Sequence, residues 1–87
     1  MAPGALGGTL VLIATPIGRV EDLSPRARHE LERVDVLACE DTRRTRRLLS
    51  AVGIAAPRLR SVRRENEEAS VAWCMRQLEA GRRVGMV

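Results

Sequence analysis

The sequence contains no phenylalanine and no tyrosine, and Trp73 is its only aromatic residue. A hydrophobic core must therefore be built from leucine, valine, isoleucine, alanine and methionine. Such a core suits helices packed on a sheet, where β-branched side chains pack well. The lack of aromatic side chains also argues against a platform on which single-stranded nucleic acids stack their bases.

Lysine is absent as well, so all 15 basic residues are arginine, against 11 acidic residues and a net charge of +4. Arginine keeps its charge at any physiological pH and binds phosphate through paired hydrogen bonds. This basic excess suits a polyanionic partner such as RNA. A genome of high GC content that favours arginine codons is the alternative explanation of the same composition.

Cysteine is scarce, and Cys39 and Cys74 have neither the spacing of a metal site nor the number needed for a disulfide framework. We expect no metal, and free buried thiols in a reducing cytoplasm. No apolar run approaches the ~18 residues of a membrane span. Residues 1–8 have no basic segment followed by an apolar core, so a signal peptide is not predicted.

The 87 residues fit one small domain. Residues 1–8 are small and glycine-rich and are expected to form a loose leader, with the domain at residues 9–87. The continuous apolar run at residues 9–15 predicts a strand buried on both faces. Further strands are predicted at residues 36–39, 58–62 and 83–87, the second of these three nearer a sheet edge and the last one central.

Three helices are predicted between these strands. Ser24-Pro25 begins the first, Asp41-Thr42 begins the second, which ends at Gly53, and Asn66 caps the third, which stops at Gly81. The apolar stripe predicted for the third helix consists of Val71, Met75 and Leu78. The alternation of strands and helices predicts an α/β fold with a mainly parallel sheet and helices on its faces.

The loop after the first strand is one candidate site, because parallel sheets carry their chemistry at the carboxyl ends of their strands. It contains Thr15, Pro16, Ile17 and Gly18. Proline stiffens the turn and glycine lets a ligand approach the backbone. The loop lacks both the dinucleotide-binding glycine pattern and a phosphate-loop lysine. A purely structural turn is the alternative.

The loop after the second strand contains Glu40, Asp41, Thr42 and Arg43. Asp41 or Thr42 can cap the following helix, which explains that residue without any function. Glu40 is not needed as a cap, and we expect it to point into a cleft. There its carboxylate would accept a hydrogen bond from a hydroxyl or amine, or orient a basic partner.

Arginines crowd the second helix and the exit of the third strand. Phosphate binding requires clustered arginines on one surface, whereas a solvated helix face is the simpler explanation. The candidate RNA-binding residues are Arg44, Arg46, Arg47, Arg63 and Arg64.

The two loops carry a family resemblance. Thr-Pro-Ile-Gly at residues 15–18 and Glu-Asp-Thr-Arg at residues 40–43, in this order and spacing, resemble the ribosomal RNA small subunit methyltransferase I family. That family belongs to the tetrapyrrole methylase superfamily. Residues 21–27 and the pair Asn66-Glu67 are similar to further family motifs. The departures from the family pattern are Arg19 in place of asparagine, and Arg63 and Glu65 in place of histidine.

The resemblance implies 2′-O-methylation of a cytidine in 16S ribosomal RNA, with S-adenosylmethionine as cofactor, by a homodimeric enzyme. Glu40 and Asp41 are then candidates for holding or deprotonating the ribose hydroxyl. The other cleft residues would be Thr15, Pro16, Ile17, Gly18, Thr42, Arg43, Asn66 and Glu67. Family members continue with Ser-Asp-Ala-Gly-Thr-Pro and a second domain. We therefore expect a truncated N-terminal domain that is inactive alone and associates through its unpaired strand.

Two other functions are compatible with the sequence. A methylase of corrin or sirohaem precursors usually opens with a glycine-rich first loop, whereas this chain has Thr-Pro-Ile-Gly there. A non-catalytic, arginine-rich RNA-binding domain would share the basic surface and lack methyl transfer. Binding of S-adenosylmethionine would discriminate between the last possibility and an enzyme.

Overall fold

The computed structural model describes residues 7–16 and 19–87. Most of the predicted leader, residues 1–6, and the loop residues Ile17 and Gly18 lie outside the described residues. The strands are β1 (Thr9–Leu12), β2 (Val36–Cys39), β3 (Arg58–Ser61) and β4 (Arg83–Met86). The helices are α1 (Pro25–Arg33), α2 (Thr42–Ala51) and α3 (Glu67–Glu79), with short 3₁₀ segments at Val20–Asp22 and Arg64–Asn66.

The four strands within the described residues are parallel and lie in the order β1-β4-β2-β3. The predicted α/β fold is therefore confirmed. β4 lies in the centre and β3 at an edge, as the sequence predicts. Because β1 and β2 flank β4, the loops that follow them lie on either side of the carboxyl end of this central strand.

The sheet separates two apolar clusters, because neighbouring residues of a strand point to opposite faces. Val36 pairs with Val84, and both lie in the cluster beneath α3 that contains Trp73. Leu37 pairs with Gly85 and packs in the other cluster. Leu31 of α1 and Leu49 of α2 pack in the same cluster. Hence α1 and α2 cover one face of the sheet and α3 covers the other.

The helix ends follow local sequence signals. The Ser24 hydroxyl accepts a hydrogen bond from the backbone N–H of Ala27 at 3.0 Å, with Pro25 in the first helical position. Gly53 and Gly81 follow α2 and α3 with φ of +74° and +80°. In both turns the last carbonyls accept the hydrogen bonds typical of a glycine-terminated helix. These predicted boundaries are confirmed.

The prediction that the first strand is buried on both faces is wrong. β1 ends at Leu12, and its side chains Leu10 and Leu12 are 51% and 75% exposed. β1 has β4 as its one neighbour among the described strands. No described helix covers Leu10 and Leu12, whereas Ile13, just after β1, is buried in the core.

The stripe predicted for the third helix is also wrong in part. Leu78 is buried, but Val71 and Met75 are 55% and 41% exposed. The buried residues of α3 are Ser70, Trp73, Gln77 and Leu78. The helix is rotated so that its largest apolar side chain, Trp73, lies against the sheet, because this burial outweighs that of valine and methionine.

Both cysteines are free, as predicted; Cys39 is buried and Cys74 half-buried. No helix among the described residues is long and apolar enough to cross a membrane. Within the same residues, no group of three or more histidine, cysteine or acidic side chains is arranged to hold a metal ion.

Candidate functional site: a cleft at the carboxyl ends of the strands

A cleft of about 590 Å³ opens where β1, β2 and β4 end. Thr15 and Pro16 line it from the loop after β1, Glu40 and Asp41 from the loop after β2, and Val87 from the end of β4. The structure therefore brings the two candidate loops together. The rest of its described lining is Val20, Cys39, Arg44, Thr45, Arg47, Leu48 and Ala51.

Helix α2 forms one wall of this cleft. Arg44 and Arg47 line it together with Leu48 and Ala51, at the helical spacing of three, four and seven residues. The predicted cleft residues Thr42 and Arg43, in the first turn of α2, are not part of the lining. Helical spacing alone does not select this pair, because Arg43 and Arg46 are also three residues apart and Arg43 and Arg47 four residues apart.

Asp41 occupies the N-cap of α2. Its Oδ1 accepts hydrogen bonds from the backbone N–H groups of Arg43 and Arg44, at 3.0 and 3.1 Å. The hydrogen bond from Arg44, supported by the one from Arg43, holds the pKa of the Asp41 carboxyl below its ordinary value. Asp41 is thus an ionised capping carboxylate, and a lowered pKa makes it a weaker proton acceptor.

Glu40 has a different environment. Its side chain is exposed on the cleft and has no hydrogen-bond or salt-bridge partner among the residues that the structure describes. Its backbone is held, because the Glu40 carbonyl accepts a hydrogen bond from the Ser61 hydroxyl at 3.1 Å. A fixed backbone with an uncommitted carboxylate leaves Glu40 available to a ligand.

Asn66 and Glu67 do not join this cleft. They line a second, open depression of about 700 Å³ with Arg64, at the start of α3. The prediction that the Asn66 side chain caps α3 is wrong. Its Oδ1 accepts from the backbone N–H of Arg63 at 2.7 Å, and its Nδ2 donates to the Ser61 carbonyl at 2.9 Å. These bonds close the turn after β3.

Ser61 is the residue that sequence reasoning missed. It is the last residue of β3 and pairs with Cys39, the last residue of β2. Its hydroxyl contacts Glu40, and its carbonyl accepts hydrogen bonds from Asn66 and, at 3.3 Å, from the Ser70 hydroxyl. No motif marks it, and only the register of β3 against β2 places it beside the Glu40 loop.

The candidate RNA-binding arginines are divided between surfaces. Arg44 and Arg47 line the cleft. Arg63 is outside the lining, and its Nε donates to the Ser61 hydroxyl at 3.1 Å, which in turn donates to the Glu40 carbonyl. Arg64 lines the second depression, and Arg46 is exposed without lining either one.

The cleft combines carboxylates and guanidinium groups at the carboxyl edge of a parallel sheet. Such a site can bind a hydroxyl-bearing, negatively charged ligand, with a carboxylate on the hydroxyl and guanidinium groups on the phosphate. These features define a ligand-binding α/β protein with its site at the ends of the strands.

Comparison with known proteins identifies the family. Residues 9–87 match the family model of tetrapyrrole (corrin/porphyrin) methylases, and the chain belongs to that family. It is 42% identical over 80 residues to ribosomal RNA small subunit methyltransferase I of Xylella fastidiosa, covering 92% of this chain and 29% of that protein.

Other relatives carry the same name. The protein from Synechocystis is 39% identical over 80 residues, covering 92% of this chain and 28% of the relative. The protein from Neisseria meningitidis is 50% identical over 62 residues, covering 71% of this chain and 21% of the relative. The chain thus spans less than a third of the length of the curated relatives that it matches.

Proposed function

We propose that the chain is the N-terminal part of an enzyme that methylates the 2′-hydroxyl of a cytidine in 16S ribosomal RNA, with S-adenosylmethionine as methyl donor. The observation that carries this proposal is the cleft that unites Thr15 and Pro16 with Glu40, flanked by Arg44 and Arg47. The names of the relatives support RNA of the small ribosomal subunit as substrate.

Glu40 is the better candidate for the residue that holds the ribose hydroxyl. In the reaction the hydroxyl oxygen gains a methyl group and loses its proton, so the proton needs an acceptor in hydrogen-bond range. The Asp41 carboxylate is bound to two backbone N–H groups and has a lowered pKa. Glu40 carries no such bonds and is free to accept the proton directly or through a water molecule.

The cleft fits the proposed cofactor in size and in part of its chemistry. Its volume of about 590 Å³ lies within the range of small-molecule clefts, roughly 300–1,000 Å³. When bound, S-adenosylmethionine supplies an activated methyl group on a positively charged sulfur. The Glu40 carboxylate would complement the positive charge of the cofactor and accept hydrogen bonds from the hydroxyls of its ribose. Leu48 and Val87 would provide apolar surface.

Arg44, Arg47 and Arg63 would bind the phosphates that flank the target nucleotide. All three are exposed. Arg44 and Arg47 line the cleft, and Arg63 is joined to the Glu40 loop through Ser61. For a single-stranded nucleic acid, each phosphate contact makes the fall of log affinity with log salt concentration steeper by about 0.7. Replacing Arg44 and Arg47 together by alanine should make this fall shallower by about 1.4.

Methyl transfer by the full-length gene product tests the assignment of Glu40. We expect Glu40→Gln to lose methyl transfer to small-subunit RNA while the protein keeps its melting temperature. Asp41→Asn keeps an oxygen that can cap α2 and should retain more activity than Glu40→Gln. Wild-type rates for both variants would overturn the roles proposed for this loop.

Calorimetric titration of residues 1–87 with S-adenosylmethionine tests how the cofactor site is divided. We propose that segments beyond this sequence supply most of that site, so the chain alone should bind the cofactor weakly and show no turnover. Tight binding would contradict this division. Binding of RNA by a full-length protein that lacks both cofactor binding and methyl transfer would favour a non-catalytic RNA-binding domain.

We also propose that the enzyme is a cytoplasmic homodimer. The outer edge of β1 has no partner strand among the described residues, and Leu10 and Leu12 beside it are 51% and 75% exposed. An unpaired edge with apolar side chains favours pairing with a second copy. For residues 1–87, light scattering should show a dimer that Leu12→Arg converts to a monomer, and a wild-type monomer would contradict association through this edge.

A further inference from the structure

We propose that Ser61 is a positioning residue that fixes the Arg63 guanidinium beside the Glu40 loop, in a pose that binds a phosphate of the RNA substrate. This inference rests on the proposed function. Ser61 lies outside every segment that resembles the family motifs. It concerns the carboxyl ends of the neighbouring strands β2 and β3.

The position of Ser61 in the topology is the first support. From β2 the chain passes to α2 on one face of the sheet, and from β3 it passes to α3 on the other face. Open parallel sheets bind their ligands at the carboxyl ends of the strands. Ser61 ends β3 at this edge of the sheet and lies beside Glu40, which follows the end of β2.

The Ser61 hydroxyl links the two loops by using both of its hydrogen-bonding capacities. It donates to the Glu40 carbonyl and accepts from Arg63 Nε, each at 3.1 Å. A hydroxyl has one proton to donate and two lone pairs to accept with, so both bonds form at once. An alanine at this position would remove both bonds and leave the Glu40 carbonyl without this donor.

Arg63 is fixed at two points. Its backbone N–H donates to Asn66 Oδ1 at 2.7 Å, and its Nε donates to Ser61. Its two terminal nitrogens have no hydrogen-bond or salt-bridge partner among the described residues, and the residue is exposed. A guanidinium anchored through Nε presents its terminal N–H groups in one fixed plane, the geometry in which arginine binds phosphate.

Anchoring of this kind lowers the conformational entropy that a side chain loses on binding. Arg63 would therefore bind phosphate more tightly than a freely rotating arginine. Arg44 and Arg47 of α2 line the cleft that contains Glu40, and Arg63 is joined to the Glu40 backbone through Ser61. Ser61 acts through Arg63 and through the Glu40 backbone, and does not itself need to touch the RNA.

A double-mutant cycle in the full-length protein tests the proposal, with a short single-stranded RNA oligonucleotide as probe. Arg63→Ala should weaken binding about threefold and lower the salt slope by about 0.7, the share of one phosphate contact. Ser61→Ala should cause a similar loss, and the double variant no further loss. Ser61→Thr, which keeps the hydroxyl, should restore binding, and Ser50→Ala, an exposed serine on α2, should have no effect.

Two further measurements keep the test decisive. In the free protein, the Arg63 Nε–H resonance should be protected from exchange and should lose that protection in Ser61→Ala. If Ser61→Ala fails to fold, Arg63→Lys at this exposed position is used instead, because lysine keeps the charge but lacks the Nε–H anchor. It should bind RNA more weakly than the wild type but less weakly than Arg63→Ala, which also loses the charge.

The outcomes separate this inference from the proposed function. RNA binding by the wild type with unchanged affinity in Ser61→Ala or Arg63→Lys would overturn the positioning role and leave the proposed function intact. Additive losses in the double variant would overturn it as well. A wild-type protein that does not bind RNA at all would overturn the proposed function and this inference together.

Discussion

Arg83 and Glu30 join the start of the central strand to helix α1 across 53 residues of sequence. Nη2 of Arg83 lies 2.8 and 3.1 Å from the two carboxylate oxygens of Glu30. The side chains are only 24% and 14% exposed. The Arg83 backbone N–H also donates to Asp35 Oδ2 at 2.7 Å, so β4 is fixed to the α1–β2 connection through two carboxylates.

Stability should therefore depend on pH through Glu30. The hydrogen bond from Arg83 holds the pKa of Glu30 below its ordinary value. The unfolded chain then binds the proton more readily than the native protein, so the stabilisation is complete above the unfolded value of about 4.3. It is lost as the pH falls through the lowered native pKa.

Glu30→Gln should consequently lower the free energy of unfolding at pH 7, and the difference from wild type should shrink in acid. Chemical denaturation at a series of pH values measures this difference. Glu32→Gln, on the same helix but exposed, is the matched control and should change little. An equal deficit at pH 7 and well below pH 4 would show that the ion pair is not its cause.

Gly85 and Gly8 should differ in their tolerance of a methyl group. A Cβ on Gly85 would lie 2.9 Å from side-chain atoms of both Leu37 and Val34, and such overpacking costs about 1–3 kcal/mol. A Cβ on Gly8 would lie 2.5 Å from the backbone oxygen of Arg82, which cannot rotate away. Gly8→Ala should thus be the more destabilising change in thermal unfolding.

Val34→Ala supplies the control for Gly85. It removes one of the three methyl groups that the new Cβ would meet, so the Gly85→Ala substitution should cost less in the Val34→Ala background than in the wild type. Strictly additive effects would contradict crowding as the cause.

The fluorescence of Trp73 should change when Arg60 is replaced, because the two side chains are in contact. The Arg60 guanidinium carbon lies 5.6 Å from the ring centroid, and Trp73 is 7% exposed. Arg60→Ala should lower the free energy of unfolding by about 1 kcal/mol, between the values of exposed and desolvated cation–π contacts, because Trp73 is buried and Arg60 is half-buried. It should also shift the Trp73 emission to longer wavelength as water reaches the ring. Arg58→Ala, two residues earlier on β3 and exposed, should do neither.

The cap of α2 should also weaken in acid. Asp41→Ala removes the acceptor for the N–H groups of Arg43 and Arg44 and should lower the melting temperature at neutral pH. Because the native pKa of Asp41 is lowered, this effect is full above the ordinary pKa of aspartate and fades as the pH falls through the native value. Asp41→Asn should retain most of the stability, and a loss equal to that of alanine would contradict the capping role.

The sequence predicted the elements and their ends because those signals are local. Ser24, Gly53 and Gly81 act within one helical turn, so their effects are visible without knowledge of the fold. The alternation of strands and helices likewise predicted the parallel α/β sheet. The sequence failed for the exposed β1 side chains and for Val71 and Met75. Burial there depends on which element lies opposite, and that is a long-range property.

Some features of the candidate site were likewise visible in the sequence, and others only in the structure. By itself, the sequence determined which two loops lie at strand ends and which residue types they carry, including Glu40 and the α2 arginines. Only the structure decided that Asp41 rather than Thr42 caps α2, that Asn66 ties the turn after β3, and that Ser61 meets Glu40. The contact between Ser61 and Glu40 joins residues 21 positions apart, and the register of β3 against β2, which no linear motif encodes, sets its distance of about 3 Å.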